Sequence, residues 1–433
     1  MSNDNIRLSI IAKLRRFDLF SRTTPELDTL DLWLTGRPMY FLLIMLTAPF
    51  VFFIRALRPL LLIRFGVFNS DRIGSFAPEA QGYLLKQNPD LSGSWTFDFI
   101  GVRGPISNLQ LLKMLARQIR VLPGGWLWLL LDRACLFWTR GSLHHANTRF
   151  SLDHWPQFLN NQALVHFSSS EKLEGKNLLE ALGVPSDAHW VCIHNRDSKY
   201  LDTKVAASKF APGKSWGYHN YRDFGVKSMV SAAEELTKRG YFVLRMGAVV
   251  AEPLISTNPK IVDYASTPLR SDFADIFLLA HCAAYLGSDS GIATVPIIFC
   301  RPVIYINWPL DVVTILTFQG PLIFITKHLY HRATKRHLGI REVFDRKLIN
   351  AGESRVYEEA GVDVVDNTSE EICELAVELD KRLKGTWRPQ VHDEQLQLQF
   401  WDIFRQHCAP EHIGIAQPRI GTAFLRQHRY LLD

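Results

Sequence analysis

Short apolar runs alternate with amphipathic stretches along most of the chain, and this alternation predicts strands separated by helices. The predicted strands lie at 95–102, 163–167, 190–194, 241–245, 283–286 and 303–307. The predicted helices lie at 109–121, 174–182, 224–238 and 272–280. Because the two kinds of element recur in turn, we predict an α/β fold with a doubly wound, largely parallel sheet.

The chain has 433 residues, whereas a single hydrophobic core rarely grows beyond about 300 residues. We therefore predict two Rossmann-like domains, at 57–185 and 186–385, separated at the turn Gly183-Val184-Pro185-Ser186. An extension at 1–56 precedes the two domains. They are followed by a helical tail at 386–433, which can reach back to the first domain. Asn367-Thr368-Ser369-Glu370-Glu371 predicts a capping box that starts a helix ending near residue 383.

Residues 39–54 are uncharged and largely apolar, contain Pro49, and are followed by Arg55 and Arg58. A membrane-spanning helix needs about 20 apolar residues, so we predict an interfacial helix whose basic flank faces anionic headgroups. A helix packed inside the core is the alternative. No small-residue cleavage site follows the run, so we expect the protein at the cytoplasmic face of the inner membrane, peripheral or monotopic.

The net charge of +6 suits an anionic ligand or an anionic membrane surface. It does not favour nucleic acid, because the basic residues do not interleave with aromatic ones as in stacking platforms. The six cysteines stand singly without a C-x-x-C motif, which predicts neither a zinc cage nor a disulfide framework.

The clearest local signal is Gly287-Ser288-Asp289-Ser290-Gly291 at the end of a predicted strand. A Gly and Ser turn between strand and helix presents backbone N–H groups and hydroxyls to a diphosphate. An ordinary helix N-cap is the alternative.

This motif resembles the donor-site signature of bacterial heptosyltransferases of the GT-B superfamily. Those enzymes usually carry a histidine soon after the second glycine, where this chain has Ile292, Ala293 and Thr294.

Upstream, His194-Asn195-Arg196-Asp197 resembles the opening motif of fucosyltransferase-like GT-B enzymes, and Arg222, Arg245 and Gly247 follow in order. His194 and Arg196 occupy alternate positions and so point to the same side of an extended chain. The whole series, over about residues 57–390, is similar to bacterial glycosyltransferases encoded with surface-polysaccharide genes. Taken singly, each arginine also fits a surface ion pair.

The resemblance implies a GT-B fold with two domains facing a cleft and a nucleotide-diphosphate sugar held by the second domain. In such enzymes the first domain supplies the catalytic base; Asp71 is our candidate and Glu79 the second choice, with a turn-forming role as the alternative for Asp71. Lys327 opens a basic run and is predicted to neutralise the leaving diphosphate. The other members of that run also fit a solvated helix face or one that touches lipid.

No D-x-D motif stands where a metal-dependent sugar transferase needs it, so we predict no metal and no cofactor beyond the sugar nucleotide co-substrate. The predicted acceptor is a glycan or a lipid-linked molecule. Two alternatives remain open at this point. One is transfer of another group, such as pyruvyl, on the same scaffold, and the other is a non-catalytic membrane-bound scaffold of polysaccharide assembly.

Overall fold

A computed structural model describes residues 38–86, 95–103, 105–123, 125–139, 143–148, 163–200, 202–203, 217–310, 323–349, 351–407 and 418–433. Predictions for residues 1–37 lie outside the described residues.

The described strands and helices follow the predicted alternation over most of the chain. The strands are β1 (Leu61–Asn69), β2 (Trp95–Arg103), β3 (Trp190–His194), β4 (Phe242–Arg245), β5 (Ile261–Val262), β6 (Ala284–Gly287), β7 (Val303–Trp308), β8 (Ile323–Thr326), β9 (His328–His331), β10 (Arg336–His337), β11 (Val362–Val365) and β12 (Arg419–Ile420). The helices are α1 (Pro38–Leu46), α2 (Ala48–Leu57), α3 (Ile73–Lys86), α4 (Leu109–Ala116), α5 (Gly125–Thr139), α6 (Ser169–Ala181), α7 (Val230–Lys238), α8 (Asp272–His281), α9 (Thr294–Ile298), α10 (Ile340–Asp345), α11 (Ser354–Glu359), α12 (Ser369–Leu383), α13 (Asp393–His407) and α14 (Thr422–Gln427).

Two compact units divide the chain. The first comprises 1–69, 87–104 and 119–149, and the second comprises 70–86, 105–118 and 150–433. Segments 70–86 and 105–118, which carry α3 and α4, therefore group with the unit that also contains residues 186–385. The predicted domain limits stay a prediction.

In the first unit, β1 and β2 pair in parallel from Leu61↔Trp95 to Asn69↔Arg103. Helices α1, α2 and α5 pack with β1 around one apolar core. Its buried members are Ile44, Val51, Ile54, Phe65, Leu130, Ala134 and Cys135.

The apolar run at 39–54 forms two helices, α1 and α2, where one was predicted. The chain breaks at Thr47, and proline occupies the first turn of α2, where it is tolerated because that N–H has no intrahelical partner. One face of the pair is buried in the core, as the alternative interpretation expected. The other face leaves large apolar side chains exposed, namely Leu42, Leu43, Leu46, Phe50, Phe52 and Phe53. Among the described residues, no helix is both long enough and apolar enough to cross a bilayer.

The second unit contains a seven-stranded sheet in the order β12-β8-β7-β6-β3-β4-β5. All neighbouring strands in it are parallel. The chain runs outward from β3 to β5 and then returns to β6 on the other side of β3. The sheet is therefore a doubly wound parallel α/β sheet, as predicted, and its topological switch point lies between β3 and β6.

Several predicted elements differ from the structure because tertiary contacts override the local pattern. Residues 163–167 form no strand; the carbonyls of Leu164 and His166 accept hydrogen bonds from Gln118 and Arg117, at 3.2 and 2.6 Å. The half-buried ring of Phe167 packs against Phe277 and Phe299 instead of in a sheet. The helix predicted at 109–121 ends at residue 116.

The basic run that begins at Lys327 forms the β9-β10 hairpin and α10, so a single helix face was a wrong interpretation. The tail is not wholly helical either, because β12 joins the sheet beside β8. The capping box is confirmed: the Thr368 hydroxyl accepts from the Glu371 N–H, and Glu371 accepts from the Thr368 N–H.

The contact between α6 and α8 leaves no room for a side chain at Gly175. A Cβ there would lie 2.0 Å from two carbons of the Phe277 ring. We expect Gly175→Ala to lower the free energy of unfolding by about 1–3 kcal/mol, the range for overpacking a core. Urea denaturation measures it, with Lys176→Ala on the exposed side of the same helix as the control. Equal midpoints for the two variants would contradict the packing described.

Candidate functional site

Two of the predicted motifs meet at the switch point of the sheet. His194 ends β3 and Gly287 ends β6, and the two residues are paired in register. The Ser288 N–H donates to the His194 carbonyl at 3.0 Å. A Cβ on Gly287 would lie 2.3 Å from that carbonyl oxygen, so only glycine permits this approach. The loops after β3 and β6 are thereby fixed side by side at the carboxyl edge, where doubly wound sheets bind ligands.

His194 is held as a neutral imidazole. Its Nδ1 lies 2.9 Å from the Met246 carbonyl, so Nδ1 carries the proton and donates. Burial lowers the pKa of His194 to about 4, although this hydrogen bond opposes the shift. At neutral pH the other ring nitrogen is therefore an acceptor.

Arg245 lies at the end of β4, and its side chain is fully buried. Its guanidinium contacts Asp263 at 3.3 Å, the Asn195 side-chain oxygen at 3.1 Å and the Glu252 carbonyl at 3.2 Å. Asn195 in turn donates to the Phe224 carbonyl at 3.1 Å. Arg245 thus anchors the loop that follows β3, and its predicted contact with a donor stays a prediction.

Gly247 and Ser290 flank the same edge. Gly247 follows β4, and a Cβ there would lie 2.6 Å from a methyl carbon of Val250. Ser290 is the N-cap of the short 3-10 helix Gly291–Ala293, which leads into the five residues of α9. The helix expected after the glycine motif is therefore short, and its dipole is correspondingly small.

Three further predicted cations each pair with a carboxylate. Arg196 binds the Asp223 carboxylate and donates to the His219 carbonyl at 3.1 Å. Arg222 binds the Asp289 carboxylate at 3.1 Å and also the Asp289 carbonyl.

Lys327 completes the set. Its ammonium donates to Asp366 at 2.6 Å and to the Asp223 carbonyl at 2.8 Å. The cations of these three ion pairs, Arg196–Asp223, Arg222–Asp289 and Lys327–Asp366, are mostly shielded from water. Together the pairs connect loops that follow β3, β6 and β8.

Burial dominates the electrostatics of this network. Burial lowers the pKa values of Arg196 and Lys327 and raises the pKa of Asp223 to about 6, against the opposing charge of Arg196. Asp223 therefore changes charge close to neutral pH.

A glycine pair links this edge to the turn that carries Asp71. A Cβ on Gly74 would lie 2.7 Å from the Gly291 Cα, so the start of α3 touches the backbone of the glycine motif directly. Asp71 lies three residues before Gly74, half-exposed, with Arg72 at 4.0 Å. Glu79 lies inside α3 and is buried. Of the two predicted bases, Asp71 is the one that solvent can reach.

Gly74, Asp223 and Asp366 were not among the predicted site residues. A glycine shortly after the turn at Asp71 and an acid directly after Arg222 were visible signals. No local signal pointed to Asp366, because its partner Lys327 is 39 residues away along the chain.

The chain is similar to two solved structures. One is E. coli ADP-heptose LPS heptosyltransferase II, at 16% identity and a TM-score of 0.30, covering 56% of this chain and 84% of that one. The other is a glycosyl transferase family 9 protein from Veillonella parvula, at 10% identity and a TM-score of 0.38, covering 74% and 97%. No family model matches the chain, and no curated protein matches it in sequence. At such TM-scores the likeness does not by itself establish a shared fold; both neighbours are glycosyltransferases.

The neutral state of His194 predicts a pH dependence of stability. Its folded pKa of about 4 lies below the unfolded value, so its contribution is complete above about pH 6.5 and is lost as the pH falls towards 4. Between pH 7 and pH 5 we expect a loss of up to about 2 kcal/mol in the free energy of unfolding.

Urea denaturation at both pH values would show this loss reduced in His194→Gln and retained in the control His392→Gln, whose side chain is exposed. The same loss in wild type and His194→Gln would mean that folding does not lower the pKa of His194.

Proposed function

We propose that the chain is a metal-independent glycosyltransferase of the GT-B superfamily. It transfers a sugar from a nucleotide-diphosphate donor to a glycan or lipid-linked acceptor in bacterial surface polysaccharide or glycolipid synthesis. The observation that supports this most is the junction of β3 and β6, where the His194 and Gly287 motifs lie in register at the topological switch point. Doubly wound sheets bind their nucleotide ligands at this place.

The donor diphosphate is anionic, and the three ion pairs offer cations at the same edge. Arg196 and Lys327 are already desolvated, so a phosphate that reaches them interacts through a low effective dielectric. The paired carboxylates keep these cations oriented before a ligand arrives, which reduces the ordering cost of binding. Protonation of Asp223 near pH 6 would free part of the Arg196 charge for the donor.

In this proposal the diphosphate leaves with the help of protein cations. Arg222, beside Asp289, and Lys327 would stabilise the charge that develops on the leaving oxygen. Neutral His194 would accept a hydrogen bond from a donor hydroxyl.

The acceptor hydroxyl needs a base, and the geometry favours Asp71 over Glu79. Asp71 is reachable from solvent, whereas Glu79 is buried in α3. The Gly74 contact with Gly291 also brings the Asp71 turn towards the proposed donor edge. A carboxylate within hydrogen-bond reach of the hydroxyl would remove its proton as the anomeric carbon is attacked. The second Rossmann-like domain and the cleft of a GT-B enzyme belong to the same proposal.

Nucleotide binding tests the proposal. We expect one of UDP, GDP, ADP or CMP to raise the melting temperature, because a ligand that binds only the folded state stabilises it. Calorimetry should then show roughly tenfold to hundredfold weaker binding for Arg222→Gln, since a hydrogen bond to a charged group is worth about 1.5–3 kcal/mol.

Arg332→Gln is the matched control, because Arg332 forms an exposed ion pair with Asp363 at 2.7 Å outside the proposed site. If no nucleotide stabilises the wild-type protein, the sugar-transferase proposal fails. The transfer of another group or the scaffold role then takes its place.

We further propose that α1 and α2 place the protein on the cytoplasmic face of the inner membrane. Their outer face exposes Leu46, Phe50 and Phe53 beside Arg55. Apolar side chains next to basic ones suit insertion at an anionic lipid surface, where each buried CH2 contributes about 0.8 kcal/mol. The inner face of the two helices belongs to the core of the first unit, so deletion of residues 1–56 would remove part of that core. Point substitutions on the outer face therefore test membrane binding better than the deletion does.

The double variant Leu46→Ser, Phe53→Ser should lower binding to anionic phosphatidylglycerol vesicles at least about tenfold, since each apolar side chain contributes about 1.5–3 kcal/mol on burial. Vesicle sedimentation measures the bound fraction. The control is Leu173→Ser, Ile255→Ser, which changes two equally exposed apolar residues of the second unit. Equal binding of both double variants would contradict a role for α1 and α2.

A further inference from the structure

A cluster of two histidines and a glutamate joins three distant parts of the chain. His328 starts β9, Glu371 lies in the first turn of α12, and His428 follows α14. One Glu371 oxygen, Oε1, lies 3.0 Å from His328 Nε2 and 2.5 Å from His428 Nε2. The three ligand atoms all lie within 4.8 Å of one another. His328 and Glu371 are buried, and His428 is partly buried.

The outer atoms of Glu371 and His328 are held by other groups. The second Glu371 oxygen, Oε2, accepts from the Thr368 N–H at 2.9 Å. The Tyr430 hydroxyl lies 2.6 Å from His328 Nδ1. Metal-binding histidines and carboxylates characteristically have such hydrogen-bond partners. The partners fix the orientation of the imidazole ring and of the carboxylate oxygen that binds the metal. The cluster therefore directs Oε1 and two Nε2 atoms at one point.

The charge of the cluster suits a divalent cation. An anionic oxygen with two imidazole nitrogens is a typical ligand set for Zn²⁺, whereas Mg²⁺ and Ca²⁺ prefer oxygen alone.

We propose that His328, Glu371 and His428 bind a divalent transition-metal ion, Zn²⁺ first among them, that ties the C-terminal tail to β9 and α12. Tetrahedral Zn²⁺ has bonds of about 2.0–2.2 Å and so keeps its ligand atoms about 3.3 Å apart. The contact between His328 and Glu371 is close to this value. His428 moves outward by less than an ångström, which its place on a short connection permits, and a water molecule takes the fourth position.

This inference departs from the sequence-based expectation of no metal. That expectation rested on the missing D-x-D motif for catalysis, whereas the proposed ion has no part in sugar transfer. The ligands are 43 and 57 residues apart along the chain and form no short motif. The proposal does not depend on the proposed function, because its readouts are metal content and thermal stability.

The full chain, stripped with EDTA, reloaded with ZnCl₂ and desalted, tests the site by elemental analysis and competition with a chelator. We expect one zinc per chain and a higher melting temperature than in the stripped protein. His428→Ala should bind zinc at least 100-fold more weakly. Tyr430→Phe keeps all three ligands and should lose about 10–100-fold through the missing hydrogen bond to His328.

His331→Ala is the matched control, because His331 lies at the other end of β9 and contacts Thr334 at 2.7 Å. It should bind zinc as the wild type does. Failure of the stripped wild type to take up zinc would overturn the proposal. So would equal zinc affinity of the wild type and His428→Ala in the chelator competition. A third contrary result would be that His428→Ala is destabilised while zinc leaves the melting temperature of the wild type unchanged. The last result would identify the cluster as a hydrogen-bonded clamp.

Discussion

The close pairing of β3 with β6 is the constraint on which the candidate site depends. Gly287 lies against the His194 carbonyl, where a Cβ would approach to 2.3 Å, and the next amide donates to that oxygen. Because the chain reverses its winding direction at this pair, the loops after both strands open onto the same crevice. Any larger residue at Gly287 would separate the strands and move both loops.

Charge balance sets the second constraint. Burying Arg196, Lys327 and Arg245 is costly unless each has an anionic partner, and the chain supplies Asp223, Asp366 and Asp263. Arg245 is withdrawn completely from solvent and acts on the loop after β3 through Asn195. Under the proposed function, an anionic ligand competes with the partners of the other two. The ion pairs therefore hold the loops together, and under the proposed function they also keep cations in place for the donor.

The C-terminal tail belongs to the second unit structurally. β12 extends the sheet beside β8, and α13 and α14 pack with each other, while α14 also packs on α12. Tyr430 contacts His328 at the start of β9, and His428 contacts Glu371 in the first turn of α12. His328 directly follows Lys327 in the chain. Contacts that hold the tail against His328 also hold the neighbouring Lys327 in place. The docking of the tail and the geometry of the ion pairs are therefore physically connected.

The sequence by itself determined the elements whose signals are local. Periodicity located β3, β4, β6 and β7 to within a residue or two, and the capping box located the start of α12, because side chains near in sequence set both. The contacts that join distant residues were decided only by the tertiary structure. They include Gly74 against Gly291, Lys327 with Asp366, and the cluster of His328, Glu371 and His428. They also kept residues 163–167 out of a strand, since side chains of Arg117 and Gln118 take the backbone carbonyls of His166 and Leu164. No local pattern records which distant group a side chain will meet.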